Sequence, residues 1–471
     1  MRPWFLACLL AACGGDARPA PPSAGGAEDA MAGFARWPAD TVVLLRLPSA
    51  ARLQAAGEGF AGLLRALGRE ATAPAEALYG IASPDGLARK APPYAALTAS
   101  GGWMRVLPAS DMPALRRSLA PGADVVAQET DDRLVLFRGT LPGNAVEAPL
   151  PGGDVAIRVR HHPLLAAVAE SGDVLEAAID VGGAGFDARA RLVPGPDSPT
   201  RDLLARAVPG EGGLLDYLPP TTFLRVETTL EPVFLAAGMA RRLARHLGAA
   251  EAKDRTIVVR VLREALSGAD PATGLAIGVE ARGGEASVVV IARDAEGAPS
   301  PILKKLCAEE RSTYGALVLD RRASPAGHGW FAWVAHAAPA LEDLPECLWS
   351  AVDLLSDEAK GLPVAYAAFD GWSVVAFGPR ADALAVATRE RLTAGSSRTA
   401  GADELRRLRE SRGGDYVFGV VVEPGADLPA ADLRAAVASL GGIEGAPGAK
   451  AFAAAGFRTP DALEFLARAY Y

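Results

Sequence analysis

Five histidines, His161, His162, His246, His328 and His336, are the only imidazoles in 471 residues. An imidazole acts as a general base or metal ligand when a carboxylate or a second ligand converges on it. His161-His162 precede the helix-like run LLAAVAE and read as a polar strand end entering a helix. His246 shares a helical stretch with Arg241, Arg242 and Arg245, which reads as a solvated face. A hydrolase elbow needs Gly-x-Ser-x-Gly, and the nearest stretch, TASGG at 98–102, has Thr98 in place of the first glycine. There is no Walker loop and no His-Glu-x-x-His. GGAGFDA (182–188) lies between two strand-like runs and opens no helix, so it reads as a turn rather than a dinucleotide loop. Carboxylates are many, but no rule pairs two of them as a glycosidase would. Trp330, Phe331, Trp333, Trp349 and Trp372 crowd one region of a chain poor in aromatics. Large aromatics dominate buried area, so a core is expected there, with a ligand groove as the alternative. No catalytic residue, cofactor or metal is assigned. Cys307 and Cys347 admit two readings. A disulfide closing their loop would contribute about 3–4 kcal/mol by the chain-entropy estimate; two buried thiols are the other reading. The absence of Cys-x-x-Cys and of a histidine pair excludes a zinc ribbon.

The amino-terminal residues carry a different chemistry. MRPWFLACLLAA places one positive charge, Arg2, before an apolar run from Trp4 to Ala12, the order of a secretory signal. The run is far short of the roughly 20 residues that a transmembrane helix needs. Leu10-Ala11-Ala12-Cys13 then resembles the lipobox of bacterial lipoprotein signals. That resemblance implies diacylglycerol on the Cys13 thiol, cleavage before Cys13 and acylation of the new amino terminus. Three chains anchor firmly where one gives a marginal hold. Gly14 rather than aspartate after the modified cysteine implies, by the Gram-negative sorting rule, the outer membrane rather than the inner. Residues 14–33, with Gly14, Gly15, Pro19, Pro21, Pro22, Gly25 and Gly26, bury too little to offset their ordering entropy and suit a flexible tether.

Half of the residues are hydrophobic and 22% are charged, so the remaining body is globular. A net charge of −8 without a basic stripe argues against nucleic acid as a partner. About 440 residues exceed one typical core and imply two or three domains or a repeated architecture.

The elements repeat one pattern. PADTVVLLRL (38–47) reads as a strand, followed by a helix over about 50–68 whose Leu53, Ala56, Phe60, Leu63 and Leu67 form one stripe. LPPTTFLRVE (218–227) precedes a similar stripe of Val233, Ala236, Ala240, Leu243 and Leu247, which suggests a duplication at an offset of about 180 residues. Hairpins are predicted at 125–139, 274–294 and 364–378, turning near Asp131-Asp132, Gly283-Gly284 and Asp370-Gly371. WMRVLPASDMPALRRSL (103–119) reads as strand then helix, with Ser110 or Asp111 as N-cap. DYVFGVVVEP, a helix at 430–440, KAFAAAGF and a closing helix over DALEFLARAYY (461–471) complete the chain. The expected class is α+β: two similar halves of mainly antiparallel sheet with helices on one face, plus a smaller C-terminal strand–helix unit. The divisions are a signal peptide at 1–12, the lipidated cysteine and tether at 13–33, halves at 34–215 and 216–379, and a last unit at 380–471.

Pro38-Ala39-Asp40-Thr41 and, without the aspartate, Pro219-Pro220-Thr221-Thr222 resemble the strand openings of a family of uncharacterised exported bacterial proteins. The resemblance implies alternating strands and helices and an envelope location, and it brings no activity. The function expected is that of a lipid-anchored envelope protein, a non-catalytic binding or structural module. A carrier for a lipid or other apolar ligand is one alternative, an envelope hydrolase with an unrecognised site another. Its partners would be the membrane, through Cys13, and an envelope protein or apolar ligand.

Overall fold

The computed structural model describes residues 37–66, 78–119, 126–138, 150–160, 173–229, 273–294, 305–334, 362–394, 400–423 and 451–470, less single positions within those ranges. The chain divides into two compact units. One comprises Met1–Asp202, Gly445–Lys450 and Thr459–Tyr471; the other Leu203–Glu444 and Ala451–Arg458.

The first unit holds β1 (Thr41–Arg46), β2 (Tyr94–Thr98), β3 (Trp103–Pro108), β4 (Val126–Thr130), β5 (Arg133–Arg138), β6 (Val155–Arg160), β7 (Val174–Val181) and β8 (Gly185–Val193). The second holds β9 (Leu224–Thr228), β10 (Leu275–Arg282), β11 (Glu285–Arg293), β12 (Arg311–Tyr314), β13 (Leu317–Arg322), β14 (His328–Val334), β15 (Leu362–Phe369), β16 (Trp372–Phe377), β17 (Asp415–Val422) and β18 (Ala451–Arg458). The last strand, β19 (Leu463–Tyr470), belongs to the first unit. Pairing gives the order β4-β5-β3-β2-β1-β6-β7-β8-β19 in the first unit. The second runs β12-β13-β14-β15-β16-β11-β10-β9-β17-β18. Every one of these pairs is antiparallel.

The α+β class is therefore corrected. The described residues are mostly antiparallel sheet, with nineteen strands against five α-helices. The helices are α1 (Ala50–Ala55), α2 (Gly57–Ala66), α3 (Met112–Arg117), α4 (Ala381–Ala394) and α5 (Ala400–Arg412). They do not make a helical layer over two half-sheets, nor does the C-terminal stretch stand as a strand–helix unit. β17 and β18 extend the second sheet, while DALEFLARAYY, expected as a helix, is a strand. Its alanines, its leucines, Glu464 and Arg468 favour a helix locally. Tertiary pairing decides otherwise: all eight residues of β19 register against β8, from Leu463 opposite Leu192 to Tyr470 opposite Gly185. Asp461 and Arg468 add ion pairs to Arg191 and Asp187 at 2.6 and 2.7 Å. The stretches expected as helices at 233–247 and 430–440 lie outside the described residues.

The near-continuous apolar run of β1 follows from its place inside the sheet, since a strand covered on both faces needs apolar side chains on both. Val43 packs into a cluster with Ile157, Val159, Leu175 and Ala190. Leu44, pointing the other way, packs with Trp37, Tyr94, Met104 and Val106. The β15–β16 hairpin turns where two residues must take positive φ: Asp370 has φ 48° and Gly371 φ 78°. Asp111 caps α3 by accepting from the Ala114 N–H at 3.0 Å. No helix among the described residues is long and apolar enough to cross a membrane, which says nothing of strands.

The Pro-x-x-Thr stretches share one local device. The hydroxyl of Thr41 donates to the carbonyl of Pro38 at 2.6 Å, and its N–H to the same carbonyl at 3.0 Å. Thr222 does the same to Pro219, at 2.6 and 3.0 Å. Both threonines are buried. Thr41→Val keeps the side-chain shape and loses that bond, so it is expected to destabilise by about 1 kcal/mol; Thr222→Val should cost more, because Thr222 Oγ1 also accepts from the buried Arg225 Nε at 3.0 Å. Urea unfolding midpoints read this directly, and unchanged midpoints would reject the turn as a stabilising device.

Candidate functional site

Of the residues singled out in the sequence that the structure describes, Trp330 meets two others: it packs with Cys307 and stacks on the His328 ring, with ring centres 6.3 Å apart. Cys13, Cys347, His161, His162, His246, His336 and Trp349 lie outside the described residues. Neighbouring strand residues face opposite sides, so Trp330 and Phe331 of β14 part. Trp330 is buried with Val364, Tyr366 and the half-buried Cys307. Phe331 is 38% exposed, with the Arg322 guanidinium 5.3 Å from its ring centre. Trp372 sits 5.9 Å from Tyr217 and 5.7 Å from the Arg293 guanidinium. Burial pushes the Cys307 thiol up from its usual range. TASGG forms part of the β2–β3 connection, where Thr98 donates its N–H to Gly102 at 2.9 Å. GGAGFDA turns β7 into β8 through Gly182 N–H to the Gly185 carbonyl at 2.8 Å.

Three polar constellations appear that the sequence had not marked. In the first, Ser373 on β16 donates to Asp294, with its Oγ 3.2 and 3.0 Å from the two carboxylate oxygens. The Tyr366 hydroxyl lies 3.5 Å from the same Oγ. Burial raises Asp294, opposed by the Ser373 bond, and pushes Tyr366 up to about 12. The His328 ring lies 6.2 Å from Tyr366, and its Nδ1 has no partner. A serine, a carboxylate and a nearby imidazole are hydrolase components. Here, however, the serine bonds the carboxylate directly and is only 6% exposed. An activated nucleophile needs a base between the two and a path to substrate. The group ties the β11–β16 seam together.

The second is Glu227 on β9, fully enclosed. Its Oε2 accepts from the N–H groups of Gly213 and Leu215 at 2.9 and 3.2 Å, capping a 3₁₀ turn over Leu214–Tyr217. Its Oε1 accepts from the Tyr416 hydroxyl, and the Arg409 guanidinium lies 5.6 Å from that ring. Burial raises Glu227, against the lowering effect of these bonds and of Arg409. Burial likewise holds the Tyr416 hydroxyl well above its usual value. Every oxygen of Glu227 is occupied by the fold itself.

The third is a cleft of about 160 Å³ lined by Glu280, Arg282, Ser287, Pro379 and Arg380. Glu280 and Ser287 stand opposite each other across the β10–β11 hairpin. Arg380 precedes α4, donates its backbone N–H to Ser287 Oγ at 3.1 Å and pairs with Glu280 Oε1 at 3.2 Å. Glu280 is 3% exposed, and its Oε2 has no hydrogen-bond partner. Among the described residues, no three His, Cys, Asp or Glu side chains converge to hold a metal ion. Of the three constellations, only this one combines an open space with an unsatisfied buried polar atom.

The sequence held one usable signal for this cleft. Glu280 is the single acid inside the apolar run GLAIGVEA, and the hairpin expected from the sequence sets it near Ser287, its observed partner in the β10–β11 register. Arg380 had no such signal, because its approach depends on where α4 packs.

No protein-family model, no curated protein and no solved structure matches the chain. The functional reading accordingly rests on its own residues.

Proposed function

We propose that this chain is a lipid-anchored protein of the bacterial cell envelope whose body is a non-catalytic binding or structural module. The observation that carries the reading is Leu10-Ala11-Ala12-Cys13, closing an apolar run after Arg2 and opening a Gly- and Pro-rich tether. The body supports it in its own way. Glu227, Tyr416, Asp294 and Ser373 are engaged inside the sheet as structural groups rather than presented to a substrate. Gly14 after the modified cysteine favours the outer membrane.

The test is the mass of the amino-terminal peptide from protein purified out of its own membranes. The expected result is a chain beginning at Cys13 and carrying a diacylglyceryl thioether and an amide-linked acyl group. A chain beginning elsewhere, or an unmodified Cys13, overturns the anchor.

A further inference from the structure

We propose that the cleft at the junction of the β10–β11 hairpin and α4 binds a small zwitterion, its ammonium group on Glu280 and its acidic group among Ser287, Arg282 and Arg380. The inference rests on reading the body as a binding module and is independent of the anchor at Cys13.

Glu280 is the central observation. A buried carboxylate oxygen demands a donor, because desolvation without a partner is costly. Glu227 in the same sheet shows how the fold meets that demand when the role is structural: both oxygens accept from the chain. Glu280 is treated differently. Arg380 holds Oε1 at 3.2 Å, and among the described residues no donor reaches Oε2. The carboxylate is thus fixed in place by one oxygen and left with an acceptor on the other, in a residue that lines a cleft.

The other lining groups have the opposite character. Ser287 accepts the Arg380 N–H through its oxygen, which leaves its own proton to donate. Arg282 is exposed and stands two residues along β10 from Glu280, on the same face. The first turn of α4, a helix of fourteen residues, begins beside them and favours negative charge. An anion alone would leave Glu280 Oε2 unmet and would face its charge. A cation alone would face Arg282 and Arg380. A molecule with an ammonium group and an acidic group a few atoms apart satisfies both ends. The volume suits it: about 160 Å³ is well above what a single water needs and below the roughly 300 Å³ where drug-sized pockets begin.

The experiment is a ligand-observed NMR titration of the full chain with four probes. Glycine and phosphoethanolamine are the zwitterions, the second standing in for a lipid headgroup; acetate and methylammonium are the single-ended controls. The expected result is saturable binding of at least one zwitterion, about tenfold or more tighter than either control. Glycine preferred over phosphoethanolamine indicates a free amino acid, and the reverse indicates a phospholipid headgroup. Glu280→Gln should weaken the zwitterion about tenfold and, by removing the charge that acetate faces, bind acetate at least as well as the parent. Arg282→Ala, at an exposed position that the fold does not need, should weaken both zwitterion and acetate. A melting temperature within a few degrees of the parent shows each variant folded. Failure of both zwitterions to saturate overturns the proposal. So does acetate binding as tightly as the preferred zwitterion, or a folded Glu280→Gln that binds that zwitterion like the parent. The mass of the Cys13 peptide is untouched by any of these outcomes, so the anchor and the cleft stand or fall separately.

Discussion

Glu227→Ala is expected to lower the stability of the second unit by about 3–5 kcal/mol, the range for removing one partner from a buried polar network. The truncation strands the Tyr416 hydroxyl and the N–H groups of Gly213 and Leu215 without acceptors. Glu227→Gln should cost about 1 kcal/mol or less. Its amide oxygen can still accept from the two backbone groups while its NH₂ donates to the Tyr416 oxygen. The pH dependence has a definite sign. Burial raises the folded-state value of Glu227 above its unfolded value of about 4.3. Its contribution is fully present below that unfolded value and is lost as pH rises through the folded one. The stability of the parent relative to Glu227→Gln should therefore fall between acid and neutral pH. Urea unfolding of both proteins across that window measures it. A flat difference, or a glutamine variant as unstable as the alanine one, would contradict the account of Glu227 as a desolvated carboxyl held by three donors.

The same carboxylate shows what could be read from the chain and what could not. Alternation and turn chemistry are local, and they were legible. The hairpins at 125–139, 274–294 and 364–378 are β4–β5, β10–β11 and β15–β16, and Asp111 caps the helix that follows β3. The two Pro-x-x-Thr stretches stood out in the sequence only as similar strand openings; the turn they make, seen in the structure, shows why the second copy can lack aspartate. The bond runs from the threonine hydroxyl to the proline carbonyl, and the residue between is not needed for it. The class was misread where composition and pairing disagree. KAFAAAGF was expected as a strand and DALEFLARAYY as a helix, yet both are strands, and both are rich in alanine. Ala453, Ala454 and Ala455 of β18 are buried on both faces. Small residues let another layer approach closely there, with α5 lying over β17 and β18. Alanine gives the highest helix propensity, so local composition favoured a helix for the closing stretch, and its pairing with β8 makes it β19. Glu227 and Tyr416 lie 189 residues apart, and Asp294 and Ser373 lie 79 apart. No spacing rule connects them, because the pairing of strands far apart in the sequence brings them together.

Cys13→Ser is expected to move the protein from the membrane to the soluble fraction almost completely and to abolish its labelling by fatty acid. Each buried methylene contributes about 0.8 kcal/mol, and a single myristoyl chain binds with a constant of only about 10⁴ M⁻¹. Loss of two or more chains therefore changes partitioning by many orders of magnitude. Neither of two other features of the sequence would make up for that loss. The apolar run from Trp4 to Ala12 is too short to span the hydrocarbon core. A net charge of −8 does not draw the body to an anionic leaflet, as a polybasic segment would. Cys8 supplies the internal control. It lies within the apolar run, upstream of the proposed cut, so Cys8→Ser should retain both lipid and membrane association. Fractionation with a carbonate wash, alongside palmitate labelling, separates the possibilities. Label lost from Cys13→Ser alone, with extraction of that variant by carbonate, places the anchor on the Cys13 sulfur. Label kept by Cys13→Ser would put the lipid elsewhere, and an unlabelled parent would remove the anchor altogether.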